Sequence, residues 1–375
     1  MKSNYKKLGQ YIQQVSIKNS DLKVTNLLSV SITKEFIPSI ANTIGTDMSK
    51  YKVVKKGQFT YGAITSRNGD KISIALLEED EAIVSTSYTV FEVIDEKKLL
   101  PEYLMMWFRR AEFDRYARYM SHGSTREAFG WNEMCDVELP VPSIEKQREI
   151  VKEYKSITDR IKLNEQLNQK LEETAQAIYK EWFVDFEDEH YTLIGEILTA
   201  QKGKNITRAK AIAGIFPVVA GGIEPSCYHN DFNTSKPVVT ISASGANAGY
   251  VNLFENNVWA ADCSYIDPKI YRNIYFIYCC LKFNQKLLMS KQIGTGQPHI
   301  YPEQIASIPI SNYNEEKAIK FNDLVKYIFK NIDILSSETK LLIELKEILL
   351  SKLANYDFFE EKKFTRKMST IKGEI

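Results

Sequence analysis

From Ile150 onward, apolar positions recur at alternating steps of four and three residues: Tyr154, Ile157, Ile161, then Asn164 and Asn168, then Leu171, Ala175, Ile178 and Trp182. This is the heptad spacing of a helix that packs along a partner, with a polar break at its middle. The surrounding stretch from Ile144 to Glu187 has no Gly or Pro in 44 residues and reads as one long helix. Its partner lies in the same chain. Moving each position on by 171 residues gives Phe321, Val325, Ile328, Ile332, Leu335, Thr339, Leu342, Lys346, Leu349 and Leu353, again apolar at the ends and polar in the middle.

The same offset carries Gly123-Ser124-Thr125-Arg126 onto Gly294-Thr295-Gly296-Gln297, and Val137-Glu138-Leu139 onto Ile308-Pro309-Ile310. Further upstream the spacing drifts, yet Ser87-Tyr88 resembles Ser264-Tyr265 and Leu8-Gly9 resembles Ile194-Gly195. The chain is an internal repeat. The expected fold class is α+β: two globular mixed α/β domains (1–143 and 188–312), separated by two long helices (144–187 and 313–355), with a tail at 356–375. For the second helix to bury its stripe on the first, the two must run antiparallel as a coiled coil. About 40 residues at about 1.5 Å each make a rod of about 60 Å, which sets the domains apart around a pseudo-twofold axis. Asn164, Asn168 and Thr339 fall near that axis, where polar seam residues fix helix register.

Within the first domain, Lys52–Ile64 and Lys71–Leu77 are β-type runs on either side of Arg67-Asn68-Gly69-Asp70, a hairpin pattern, and Ile83–Ile94 is a further strand. Pro101 opens an amphipathic helix with Tyr103, Leu104, Trp107 and Phe108 on one side and Arg109, Arg110, Arg115 and Arg118 elsewhere on its surface. The second domain follows the same outline: a strand at Pro237–Ser242, a turn-rich loop from Ser244 through Asn247 to Gly249, a returning strand at Tyr250–Phe254, and a helix at Ile270–Met289. The tail is charged and irregular.

Composition adds mainly exclusions. With 375 residues, 44% of them apolar, the chain has material for ordinary cores. The densest apolar run, Ile274–Leu281, is too short to span a bilayer, and the N-terminus lacks the apolar stretch of a signal peptide. Five cysteines without a C-x-x-C spacing argue against a disulfide framework, so the expected compartment is reducing cytoplasm. There is no dinucleotide or phosphate-binding glycine motif, no Asn-Pro-Pro-aromatic motif, and no nucleophile elbow. Cys227-x-His229 is an isolated pair rather than a zinc site. Catalysis and a bound cofactor or metal are not expected of this chain.

Net charge is only +1, but its distribution is uneven. Lys97, Lys98, Arg109, Arg110, Arg115, Arg118 and Arg126 outnumber Glu102, Glu112 and Asp114 in one stretch. In the other half Lys269, Arg272, Lys282, Lys286 and Lys291 meet no acid before Glu303. The offset of 171 places Arg115 on Lys286. Basic helices recurring at equivalent places suit phosphate neutralisation. Each leads into a small-polar loop, and Arg, Gln and Gly are residue types that read base edges or allow close backbone approach. Candidate DNA-contacting residues are therefore Arg67, Arg109, Arg115, Arg118, Ser124, Thr125 and Arg126 in the first half, and Ser244, Asn247, Lys286, Lys291, Thr295, Gly296, Gln297 and His299 in the second. A non-catalytic scaffold whose paired domains bind proteins is the other reading of this layout.

The layout resembles the specificity subunit of type I restriction-modification systems. The likeness is carried by Val137–Ile150, a Pro-rich strand followed by the helix start Glu145-Lys146-Gln147; by Ala177–Glu187; by Gly294-Thr295-Gly296-Gln297-Pro298-His299-Ile300; and by Leu345–Leu353. Ser351, where the family often has Pro, and a shorter second domain depart from the pattern. The resemblance implies a non-catalytic subunit that reads a split sequence in double-stranded DNA, one half per target-recognition domain. It also implies partners: two modification subunits docked on the helices, supplying S-adenosylmethionine-dependent methylation, and restriction subunits using ATP and Mg.

Overall fold

The computed structural model describes residues 5–42, 44–66, 68–122, 127–185, 190–207, 209–294 and 296–354. Two compact units divide it, one combining residues up to Ile161 with those from Leu341 onward, the other Lys162–Lys340.

In the first unit an antiparallel sheet is ordered Ile12–Val15, Tyr88–Val93, Phe59–Gly62, Ile74–Leu76. Against it pack the helices α1 (Pro101–Phe108) and α2 (Ala111–Tyr119). Phe59 stacks on Phe91 at 4.8 Å, with Phe108 edge-on to both. A second sheet, Ile17–Lys18, Lys52–Lys55, Glu81–Val84, stands beside it. Two expected strands are thus each divided between sheets. The run Lys52–Ile64 breaks at Lys56-Gly57, and Ile83–Ile94 breaks at the turn closed by Tyr88 N–H on Ser85 O. The single expected helix is also two, because Arg110 takes an extended conformation (ψ 140°) between α1 and α2. The short helix α3 (Trp131–Cys135) follows, and the strand Glu138–Pro140 pairs with Tyr5–Lys7 before the chain enters α4 (Ile144–Phe183).

The second unit repeats this plan. The strand Tyr191–Leu193 leads into α5 (Ile194–Ile197), and the sheet is ordered Gln201–Lys202, Cys263–Ile266, Val238–Ser242, Val251–Phe254. Then come α6 (Ile274–Phe283), α7 (Gln285–Ser290), α8 (Pro302–Ala306), the strand Pro309–Ser311 paired with Tyr191–Leu193, and α9 (Glu315–Lys352). Here too the expected helix is divided, at Asn284.

Equivalent close contacts confirm the repeat. Leu8 N–H bonds Val137 O at 2.8 Å, and Ile194 N–H bonds Ile308 O at 3.0 Å. A Cβ added to Gly9 would lie 2.8 Å from Cys135 Cβ, and one added to Gly195 would lie 2.8 Å from Ala306 Cβ. Only glycine lets these segments meet. The match of Ser87-Tyr88 with Ser264-Tyr265 is two residues out of register. Tyr88 pairs with Gly62 whereas Cys263 pairs with Ser242, so Ser87-Tyr88 corresponds to Asp262-Cys263.

Every expected seam residue of α4 and α9 is buried or half-buried. In the first unit Ile150 and Tyr154, from the start of α4, share a core with Leu349, Leu350 and Leu353 from the end of α9. In the second, Ala175, Tyr179 and Phe183 meet Ala318, Phe321 and Val325. The helices therefore run antiparallel. At the polar break Asn164, 1% exposed, donates through Nδ2 to Glu338 Oε2 at 2.9 Å and Thr339 Oγ1 at 3.3 Å, while Asn168 donates to Ser336 Oγ at 3.1 Å.

Each long helix also grips its neighbouring domain by an amide side chain. Fully buried Gln147 accepts from Leu100 N–H at 2.8 Å and donates to Lys98 O and Pro142 O, both at 2.9 Å, which ties α4 to the N-terminus of α1. Asn322 Oδ1 accepts from Tyr275 N–H at 3.0 Å and Phe276 N–H at 3.4 Å, satisfying orphan donors in the first turn of α6.

Candidate nucleic-acid interface

In the first domain, α2 is followed by Ser121, whose hydroxyl donates to Ala117 O and accepts from Thr65 Oγ1 at 2.9 Å. His122 and Ala128 then exchange backbone hydrogen bonds at 3.1 and 3.0 Å, closing a small hairpin. Its returning leg is bound to the segment beyond the strand Phe59–Gly62: Thr65 N–H bonds Glu127 O at 3.0 Å, and Phe129 N–H bonds Ala63 O at 2.8 Å. The hairpin and the turn after residue 64 are held as one pair. Arg67, Ser124, Thr125 and Arg126 lie outside the described residues.

The second domain builds the same pair. Ile293 and His299, each 171 residues on from its counterpart, exchange hydrogen bonds of 2.9 Å. Gly245 N–H bonds Pro298 O at 3.0 Å, and Ser244 bridges His299. At Gly294 φ is +102° and an added Cβ would sit 2.7 Å from Gln297 O, so the hairpin needs glycine there. Gly296 and Gln297 are exposed; Ser244, Asn247 and His299 are half-exposed. The structure thus brings Ser244, Asn247, Gly296, Gln297 and His299 onto one loop pair, and Thr295 lies outside the described residues.

The basic residues fare unequally. Arg115 is 69% exposed, with Glu112 Oε1 3.4 Å away, and Lys286 is exposed. Arg109 instead bonds Tyr154 OH at 3.1 Å, and Arg118 pairs with Glu127 at the hairpin base, so both guanidinium groups are engaged inside the domain. Arg110 is buried on Trp107, 4.2 Å from the ring centroid. Lys282 leans over Tyr250 and faces Glu172 of α4. Lys291 groups with Tyr191, Leu193 and Leu287 in a shallow depression rather than with the loop residues.

Three residues not singled out by sequence join the second loop pair. Ser244 donates its hydroxyl to Asp262 Oδ2. The His299 ring stacks on Tyr301 with centroids 5.8 Å apart, and Lys202 Nζ lies 5.0 Å from the Tyr301 centroid. Tyr301 could have been suspected from its place two residues after His299, but Asp262 and Lys202 arrive from distant strands. In the first domain, Lys34 and Asp114 form a buried pair at 2.8 Å beneath α2. Burial pushes the Lys34 amine below its ordinary pKa, against the pull of Asp114. Among the described residues no cluster of three or more His, Cys, Asp or Glu could hold a metal, and no helix is long and apolar enough to cross a membrane.

The sequence model of the family described as type I restriction modification DNA specificity domain matches residues 6–173 and again 189–319. The chain belongs to this family. It is a type I specificity subunit, a non-catalytic DNA-recognition component, and the paired protein-binding scaffold is not favoured. The specificity subunit is 24% identical over 314 residues to the type I restriction enzyme MjaIX specificity subunit of Methanocaldococcus jannaschii, covering 72% of each chain. It is 33% identical over 138 residues to the HindI specificity subunit of Haemophilus influenzae, covering 36% of this chain and 30% of that one. The crystal structure of the S subunit of a type I restriction-modification system from M. genitalium shares the fold, with a TM-score of 0.62 at 17% identity over 93% of this chain and 95% of that one. The two stretches of the specificity subunit matched by the family model contain the two loop pairs.

Proposed function

We propose that each domain of this specificity subunit reads one half of a split DNA target through its loop pair, the exposed cations of α2 and α7 holding the phosphates nearby. The observation that carries this reading is the recurrence of one assembly: a hairpin at 122–128 and at 293–299, bonded to a turn from the central sheet and reached from a short helix bearing Arg115 or Lys286. Phosphate contacts would position the domain and loop side chains would specify sequence. By residue type, Gln297 suits adenine and Arg126 guanine, and Ser124, Thr125 and Thr295 could donate to or accept from either.

The partners in this reading are two modification subunits and the restriction subunits, with S-adenosylmethionine, ATP and Mg on those partners, in the cytoplasm. Supporting a helix-borne docking surface, α9 leaves Leu324, Tyr327, Ile334, Leu341, Leu345 and Ile348 exposed at heptad spacing, apart from its buried seam. Such a stripe suits a protein partner. The test is Gln297→Ala in a host carrying the intact system, read by sequencing methylated sites. The expected result is one half-site relaxed at one position with the other half and the spacing unchanged; an unaltered motif with unaltered affinity would overturn the loop assignment.

A further inference from the structure

We propose that Asp262 is a specificity-determining residue of the second domain, accepting a hydrogen bond from the exocyclic amino group of a cytosine or adenine. This rests on the reading of the loop pair as the DNA-contacting surface.

Asp262 immediately precedes the strand Cys263–Ile266, and its backbone carbonyl accepts from Ala243 N–H at 3.1 Å. One carboxylate oxygen, Oδ2, accepts the hydroxyl of Ser244, which is itself bridged to His299 of the hairpin. The group is therefore fixed against the loop that begins at Ala243, which is itself paired with the hairpin, while remaining half-exposed. Its second oxygen, Oδ1, has no hydrogen-bond or cationic partner among the described residues. The acid at the base of the other hairpin differs, since Glu127 is neutralised by Arg118.

A carboxylate is an acceptor only. Facing DNA it is repelled by every phosphate and can gain only from donors, and the donors on base edges in the major groove are cytosine N4 and adenine N6. Lys202, over Tyr301 on the same surface, supplies a cation for the neighbouring backbone. The corresponding place in the first domain is Ser87, a hydroxyl that donates as well as accepts. The two domains accordingly impose different chemistry at this position, and the acid-imposed preference belongs to one half-site alone.

The experiment uses the complete complex with Asp262→Asn, Asp262→Ala and, in parallel, Gln297→Ala. Methylated sites are sequenced in the host, and binding is measured on the parent target and its single-base variants. The Asn variant keeps the shape and an acceptor for Ser244, so it remains informative if the Ala variant is poorly folded. The expected result is loss of discrimination of roughly five- to a hundred-fold at one cytosine- or adenine-bearing position of one half-site. Binding to unrelated DNA should be undiminished, because a repelling charge has gone. Unchanged discrimination at every position in both Asp262 variants would overturn the proposal. So would a uniform loss on matched and unmatched DNA, which marks a role in holding the loop. If Gln297→Ala alters the motif while the Asp262 variants do not, only the assignment of Asp262 falls; if none alters it, the loop reading falls with it.

Discussion

Replacing Gln147 by Ala should destabilise the first unit by about 3–5 kcal/mol. The side chain makes three hydrogen bonds in a site with no solvent exposure. Its removal strands the Leu100 N–H and the carbonyls of Lys98 and Pro142, and each buried unpaired group costs about 1–3 kcal/mol. The lower part of the summed range applies because Leu100 and Lys98 lie toward the domain edge, where water can partly replace the amide. Against a total stability of about 5–15 kcal/mol this is a large loss. Gln147→Glu sharpens the test. Its carboxylate can still accept from Leu100 N–H but faces two carbonyls to which it cannot donate, so the folded pKa is raised above the unfolded value of about 4.3. A group raised in this way contributes stability that is fully present below the unfolded value and is lost as pH rises through the folded one. The Glu variant should therefore approach the parent at low pH and fall away toward neutrality. Urea unfolding followed by the fluorescence of Trp107 and Trp131, with hydrogen exchange of the α1 amides, measures both effects. A loss below about 1 kcal/mol for Gln147→Ala, or a Glu variant whose deficit is the same at pH 5 and pH 8, would refute the reasoning.

Lys34→Met should cost about 3–5 kcal/mol by stranding Asp114, with the double replacement of Lys34 and Asp114 by apolar residues much milder. Because burial lowers the Lys34 pKa, the folded chain binds fewer protons than the unfolded one between that lowered value and the ordinary 10.5. The parent should gain stability relative to Lys34→Met as pH rises through this window, and chemical denaturation across it checks the sign. Arg115→Ala and Lys286→Ala should each weaken binding equally on matched and mismatched DNA and reduce the slope of log affinity against log salt by about one. A change in sequence preference would instead make them base contacts. Inserting one heptad after Asn168 and one after Thr339 preserves the seam and adds roughly 10 Å to each helix. If the helix pair sets the unread spacer between half-sites, that spacer should lengthen by roughly three base pairs at 3.4 Å each, and an active variant with an unaltered spacer would show that helix length does not set it.

The long helices were legible because their signal is local and redundant: every heptad repeats it, and no Gly or Pro interrupts it. The equivalence of the two small-polar loops was legible for another reason, since the offset of 171 runs without insertion from residue 123 through the helix, whereas their hairpin pairing was not. Strand assignment failed where one apolar run serves two sheets, because the turn at Lys56-Gly57 is a single break within continuous β-type sequence. Charge counting along the chain also misled. Arg110 and Arg118 raise the local sum, but the fold places one on Trp107 and brings Glu127 to the other. Gln147 was visible only as part of a recognisable helix start, because its partners Lys98 and Leu100 lie nearly 50 residues earlier. Asp262 and Lys34 gave no linear signal at all, since each acquires meaning from a partner on another element.

Tyr5 donates its hydroxyl to Ala354 O at 3.0 Å, beside the strand pair Tyr5–Lys7 with Glu138–Pro140. In the second domain the corresponding step, from the end of α4 to the strand Tyr191–Leu193, is made by the polypeptide itself. The same step is thus covalent in one unit and closed by a hydrogen bond in the other. A chain joined across Tyr5 and Ala354 and reopened between α4 and Tyr191 is therefore expected to form the same contacts in a different order, which circular dichroism and thermal unfolding of such a variant would check.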